Sequence, residues 1–243
     1  MKALKVLWNG RISTDRVIWR YAPDHSVRLS KELEARVPSV WNETKLQRSH
    51  VYDGRLLVLE RMREGSDGLV LDVTDVSFSR VLTLSQHQLG LKGLGVLGVQ
   101  AIILSGDGTH VLVGQRASDS MYCPGYWSTP GGMLEASDAA ESFDKACMRE
   151  ILEEAEVNLN PARYIVALTK ETHGQMGSVL IILATVESRI NPNEPVTGNE
   201  EWVSRQLRWS HVEDVARISP DRSLEGIQFL SLELKRKVSI LPV

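Results

Sequence analysis

Glu150, Glu153 and Glu154 stand where one turn of helix would bring three carboxylates together. At 100° per residue they span an arc of roughly 100°, while Cys147, Met148, Ile151, Leu152 and Ala155 fill the adjoining apolar arc. The helix predicted here buries one side and presents acid on the other. Like charges three and four residues apart each cost a few tenths of a kcal/mol, so an acidic cluster beside a buried face points to a compensating cation. Hard oxygen donors favour Mg²⁺ or Mn²⁺ over zinc. The competing reading is a solvated acidic face with Lys145 and Arg149 as ion-pair partners.

The elements that must position this turn follow from local pattern. Asp138-Ala139-Ala140-Glu141 reads as a capping box at the helix start, with Glu141 reaching back to the Asp138 N–H. Val99 to Ser105 and residues 110 to 116 read as strands joined by a Gly106-Asp107-Gly108 turn. The stretch from Gly90 to Gly98 formally contains Gly-x-Gly-x-x-Gly. A strand follows it where a dinucleotide site needs a helix, so it reads as a linker dividing residues 1–92 from 93–243. Before it, residues 2–8 and 16–21 are expected strands, 30–48 a helix broken or kinked at Pro38, and 55–62, 69–76 and 78–85 a strand meander. After the acidic helix come strands near 163–172 and 177–187, then a loop rich in Pro, Asn and Gly over 190–199. A strand ending at Trp209, a short helix from 211 and an amphipathic helix near 221–236 complete the pattern.

Upstream of the carboxylates lies Tyr126-Trp127-Ser128-Thr129-Pro130-Gly131-Gly132, then Glu141, then seven residues, then Arg149-Glu150-Ile151-Leu152-Glu153-Glu154. This resembles the Nudix box: Gly, five residues, Glu, seven residues, Arg-Glu, an aliphatic, any residue, Glu-Glu, any residue, Gly, an aliphatic. Two features depart from it. Eight residues separate Gly132 from Glu141, a three-residue insertion before the helix that could displace a backbone carbonyl used for metal binding in the family, and Glu156 replaces the closing glycine. Asn158 is the next best residue for the left-handed cap that glycine normally provides. The resemblance implies an α/β/α sandwich around a mixed β-sheet over 93–243, preceded by a smaller α+β N-terminal domain over 1–92. It also implies Mg²⁺, with Mn²⁺ as an alternative, held by Glu150, Glu153 and Glu154, with Glu150 or Glu153 doubling as a base. Glu200 and Glu201 occupy the region from which many Nudix enzymes supply a further ligand. Gly131, Gly132 and Glu141 are the structural supports of the box, and Arg116 is the substrate-binding arginine at the end of the second Nudix strand. Arg149 either orients a metal-binding glutamate or contacts phosphate directly.

The whole chain suits a cytoplasmic enzyme. Its 243 residues are 42% hydrophobic, with no apolar run of membrane-spanning length and no secretory leader pattern at the start. Two cysteines give no disulfide framework, and six histidines show no zinc spacing. A net charge of −3 argues against a nucleic-acid surface, so a phosphorylated small molecule would be held by metal and a few local cations. Val40-Trp41-Asn42-Glu43-Thr44-Lys45-Leu46 and Leu82 to Gly90 resemble the Nudix subfamily that hydrolyses UDP-glucose and UDP-galactose. That phrase also reads as an ordinary amphipathic helix with Trp41 and Leu46 in a core. The resemblance implies cleavage of a nucleoside diphosphate linked to another moiety, a UDP-sugar giving UMP and sugar 1-phosphate. The alternatives are an ADP-ribose or dinucleoside polyphosphate hydrolase, an isopentenyl diphosphate isomerase using Cys123, and a non-catalytic nucleotide sensor.

Overall fold

The computed structural model describes residues 4–23, 29–48, 51–87, 89, 95–120, 122–155, 164–170, 179–188, 192–193, 196–199 and 202–235. Strand β5 (Gly95–Ser105) is buried at every position, as a strand must be when both faces of its sheet are covered. Leu97, Val99, Ala101 and Ile103 share one core with Phe143, Cys147, Ile151 and Ala155 of helix α4 (Phe143–Ala155). Ile102 and Leu104 enter a second core with α5 (Val212–Val215) and with Ile227, Phe229 and Leu230 of α6 (Glu225–Lys235). Period-two alternation along one strand therefore feeds two layers of helix, an α/β/α arrangement. No helix among the described residues is long and apolar enough to cross a membrane.

The sheet is mixed. Strand β10 (Val179–Ser188) runs parallel to β5 and antiparallel to β9 (Tyr164–Lys170). On the other side β6 (His110–Arg116) pairs antiparallel with β7 (Trp127–Ser128) and with β12 (Trp202–His211), β12 also pairs with β11 (Val196–Thr197), and β6 meets β5 at Leu104↔Val111. The first ninety residues add strands to this same sheet. Strand β1 (Lys5–Ser13) extends it beyond β9, and β3 (Arg55–Gly65) joins β5 through Val58↔Val96 and Leu59↔Gly95. Strand β4 (Gly68–Ser77) lies beside β3, and β2 (Val17–Tyr21) runs parallel to β4 at the end of the path. Hydrogen bonding thus runs across the glycine-rich stretch on which the 92/93 division rests.

Pro38 acts as the sequence suggests. The helix expected over 30–48 is two, α1 (Lys31–Glu34) and α2 (Val37–Gln47), with Pro38 in the first turn of α2, where its missing N–H costs nothing. The strand expected over 78–85 is instead helix α3 (Phe78–Gln86). Val81 and Leu84, three apart, point into a third core with Leu56, Val58 and Val96. The start of α3 is capped from a distance, because the Ser79 N–H donates to Asp53 Oδ1 at 2.7 Å. Leu46 is corrected too. Trp41 packs edge-on against Phe78 at 6.2 Å, but Leu46 is 87% exposed and belongs to no core.

Candidate active site

The acidic helix is fastened to a pair of glycines. Strand β8 (Gly131–Met133) lies antiparallel to β5, with Gly132 opposite Val99 and Gly131 opposite Gln100. The backbones approach so closely that a Cβ on Gly131 would sit 2.0 Å from the Val99 carbonyl oxygen. A Cβ on Gly132 would sit 1.9 Å from Glu150 Oε2. The two glycines therefore serve different neighbours: the first admits the sheet, the second the Glu150 carboxylate. The Gly131 N–H donates to Glu154 Oε2 at 2.8 Å, tying the far end of the acidic turn to the same strand.

Between β8 and α4 the chain makes a short 3₁₀ turn over Ala136–Ala140. Here the capping expectation is corrected. The box is formed by Glu135 and Asp138, each side chain accepting the other's backbone N–H, and Asp138 sits at its third position rather than its start. Glu141 follows the turn in extended conformation, 54% exposed and 3.9 Å from Lys145. Two overlapping Glu/Asp-x-x-Asp/Glu spacings compete in the sequence, and tertiary contact decides between them: Arg149 donates Nε to Asp138 Oδ1 at 3.1 Å and Nη2 to Asp138 Oδ2 at 2.8 Å.

Arg149 is the hub of the acidic turn. Its Nη2 also donates to Glu150 Oε1 at 2.6 Å, and its Nη1 to both Glu153 oxygens at 3.2 Å. Burial works against its charge, but the Asp138 hydrogen bond and the Glu150 charge outweigh that, and the guanidinium is held above its ordinary pKa. Arg149 thus bonds three carboxylates, those of Asp138, Glu150 and Glu153, and also lines the cavity described below. Arg116 is buried, not an exposed strand-end cation. Nε donates to the Tyr122 carbonyl at 2.8 Å, Nη2 to Ser120 Oγ at 2.9 Å, and Nη1 stands 3.9 Å from Glu154 Oε1.

Arg116, Arg149, Glu150, Glu153 and Glu154 all line one cavity of about 360 Å³. Sequence reasoning read Asp138, which lies behind Arg149, only as a helix cap, and it missed Glu135 in the wall and Tyr52, whose hydroxyl donates to Glu135 Oε1. Glu135 had a local signal in its spacing from Asp138; Tyr52 had none. Cys123 is fully buried, and its neighbour Tyr122 contributes to the wall. Glu156 and Asn158 lie outside the described residues, as do Glu200 and Glu201.

The donor set fits a hard divalent cation in chemistry though not yet in convergence. Glu150 and Glu154 are buried carboxylates facing the same cavity. Among the described residues no three acidic, histidine or cysteine side chains are gathered as a ready-made cluster, and both Glu150 and Glu153 accept hydrogen bonds from Arg149. Burial pushes the Glu150 carboxyl up to about 8; Arg149 opposes the shift, and the charges of Glu153, Glu154 and Asp138 add to it. The sign follows directly. A group that binds its proton more tightly when folded stabilises the fold at low pH, and that contribution is lost as pH rises from about 4.5 to about 8. Thermal melts in a chelator should therefore show a stability decline across that window. Added Mg²⁺ should bind more tightly as pH rises towards 8, since it replaces the proton. A chelated protein whose stability climbs from pH 5 to pH 8 would contradict this account of Glu150.

A family model described as NUDIX domain matches residues 96–227. No curated protein matches the chain. Among solved structures, the MutT protein from Methanosarcina mazei Go1 is 19% identical, with 58% of this chain and 93% of that chain covered and a TM-score of 0.46. The NUDIX domain of Shewanella oneidensis NrtR, complexed with ADP ribose, is 17% identical, with coverage of 58% and 88% and a TM-score of 0.42. A C. elegans Ap4A hydrolase is 21% identical, with coverage of 58% and 98% and a TM-score of 0.38. The matched segment runs from the start of β5 into α6, takes in the paired glycines and the acidic turn, and spans more than half of the 243 residues: the chain belongs to the NUDIX domain family.

Proposed function

We propose that this Nudix hydrolase cleaves the diphosphate of a nucleoside diphosphate linked to a second moiety, and that its substrate is a UDP-sugar, giving UMP and sugar 1-phosphate. The observation that carries the reading is the joint burial of Glu150 and Glu154 of α4 against the paired glycines of β8, facing one cavity with Arg116. Glu150, Glu153 and Glu154 would hold Mg²⁺ or Mn²⁺, with Glu200 or Glu201 as a further ligand. When bound, the ion supplies neutralising charge to the diphosphate and acidity to the attacking water.

The side chains do the rest. Arg149 keeps Glu150 and Glu153 in register from behind and leaves phosphate contact to Arg116, whose fork is fixed by Ser120 and Tyr122 beside Glu154. A carboxylate oxygen of Glu150 or Glu153 takes the proton from the attacking water. Tyr52, Leu56 and Phe78 bring residues 1–92 into the cavity wall, so the segment before the linker helps shape the space that receives the substrate.

The uracil and sugar preference rests on the Trp41-Asn42-Glu43-Thr44-Lys45-Leu46 phrase in α2. The diphosphate is common to all candidate substrates, so discrimination must come from groups outside it. A site with polar groups matched to the uracil imide edge leaves them unpaired against adenine, at a cost of about 1–3 kcal/mol. With UDP-glucose and ADP-ribose competing in one Mg²⁺-containing reaction, UMP should predominate. Predominance of AMP would discard the UDP-sugar assignment and leave diphosphate hydrolysis standing. Absence of both products, with UDP-galactose and dinucleoside polyphosphates also uncleaved, would favour a nucleotide-binding sensor.

A further inference from the structure

The cavity beside the acidic turn has a second, apolar end. Side chains alternate along β5, so Val99 lies on the α4 face while Gln100 shares the α6 face with Ile102 and Leu104. A Cβ on Gly98 would sit 3.0 Å from Ile181 Cδ1 and 3.2 Å from Met133 Sδ, so these two side chains close over bare backbone next to Gln100. With Leu56, Phe78 and Leu224 they give the cavity an apolar surface, and Gln100 is the carboxamide set into it. Its orientation is fixed by chemistry. Gly226 is the second residue of α6, where a backbone N–H has no acceptor within the helix, and it donates to Gln100 Oε1 at 2.7 Å. Nε2 is therefore the other tip, and it faces Glu225 Oε2 at 3.5 Å. A carboxamide nitrogen carries two hydrogens. The second has no acceptor among the described residues, on a side chain that is buried yet opens on the cavity. Ser128, in the same lining, commits its hydroxyl hydrogen to the Thr129 carbonyl at 2.8 Å.

We propose that Gln100 reads the nucleobase: its second N–H donates to the keto oxygen at C4 of uracil or C6 of guanine, where cytosine and adenine carry an amino group instead. This rests on the nucleotide-sugar hydrolysis proposed above and narrows its substrates to those with a keto base. The division of the cavity fits such a ligand. Arg116 and the carboxylates face the diphosphate and its metal, and the apolar end receives a planar base whose polar edge meets Gln100. A keto oxygen satisfies the carboxamide. An amino group sets donor against donor and leaves both desolvated without a partner, the kind of loss by which a site built around a hydrogen bond discriminates. Because Gly226 holds Oε1, the side chain cannot turn over to offer its oxygen to an amino base.

The test holds sugar and diphosphate constant and varies the base, measuring kcat/KM and equilibrium binding for UDP-, CDP-, GDP- and ADP-glucose with Mg²⁺. Each keto base is compared with the amino base of its own size. UDP-glucose should exceed CDP-glucose by about tenfold to a hundredfold. Gln100→Met keeps the length of the side chain and removes its N–H groups, so in a folded variant this ratio should fall towards one. If Gln100→Met does not fold, the unsubstituted protein decides: a UDP-glucose analogue with hydrogen in place of the C4 oxygen should lose the same factor. Equal rates for UDP- and CDP-glucose, an undiminished ratio in folded Gln100→Met, or an analogue cleaved as well as UDP-glucose overturns the proposal and leaves diphosphate hydrolysis standing. GDP-glucose ahead of UDP-glucose, with each keto base ahead of its amino counterpart, supports Gln100 and overturns only the uracil assignment. Binding in the same order without cleavage supports Gln100 and overturns only the hydrolytic reading. A protein that neither binds nor cleaves any of the four overturns both.

Discussion

Glu154→Gln is expected to abolish most Mg²⁺-dependent turnover while the protein stays folded. Glutamine has nearly the same volume, and its amide oxygen can still accept the Gly131 N–H that Glu154 Oε2 accepts at 2.8 Å. Arg116 keeps its bonds to Ser120 and Tyr122, so the wall beside it stays in place. What disappears is a buried negative charge at the end of the acidic turn, one hard ligand of the proposed set. Charge stabilisation by a bound metal contributes several kcal/mol to such reactions, and about 1.4 kcal/mol is a factor of ten. A loss of roughly a hundredfold or more in kcat/KM is therefore expected, with a melting temperature close to that of the unsubstituted protein. Turnover close to the original at limiting Mg²⁺, in a protein with an unchanged melt, would remove Glu154 from the metal site.

Local spacing made the acidic turn legible. The three carboxylates lie at most four residues apart, and helical geometry alone brings them together; of the apolar arc expected beside them Cys147, Ile151 and Ala155 are buried, but Leu152 is 53% exposed. Strand β6 is equally local: its expected span of 110–116 coincides with His110–Arg116, because it follows a glycine turn and precedes nothing that competes. The errors have non-local causes. Residues 78–85 are apolar and short enough for either helix or strand, and the vote is cast by Asp53, far away in sequence, which caps the helix. The choice between Asp138-x-x-Glu141 and Glu135-x-x-Asp138 is settled by Arg149 on the next helix. The strand signals at 2–8 and 55–62 gave no partner, since a strand's pattern says which face is buried and not whose edge it joins. Pairing of β1 with β9 and β3 with β5 is therefore visible only in the fold. Tyr52 reaches the cavity by the same route, carried there by the N-terminal strands.

The paired glycines allow fold and function to be separated by one methyl group. In Gly131→Ala the new Cβ meets the Val99 carbonyl oxygen at 2.0 Å and Gln100 Cα at 2.7 Å, both backbone atoms of the central strand. Nothing there can rotate away, so β8 must leave β5. Overpacking of this kind costs about 1–3 kcal/mol or more, and a large drop in melting temperature or failure to fold is expected. In Gly132→Ala the new Cβ instead meets Glu150 Oε2 at 1.9 Å, the tip of a side chain that can swing aside. The fold should survive with a modest loss of stability, while Glu150 is displaced from its buried place against Arg149 and turnover falls about as far as in Glu154→Gln. A second signature belongs to this variant alone. A Glu150 carboxyl pushed towards water no longer holds its proton up to about pH 8, so the decline of metal-free stability between pH 4.5 and 8 should flatten. Thermal melts across that pH range and Mg²⁺-dependent turnover test both variants together. A Gly132→Ala protein with full turnover, or a Gly131→Ala protein as stable as the original, would show that the close approach of β8 to its neighbours does not fix the site.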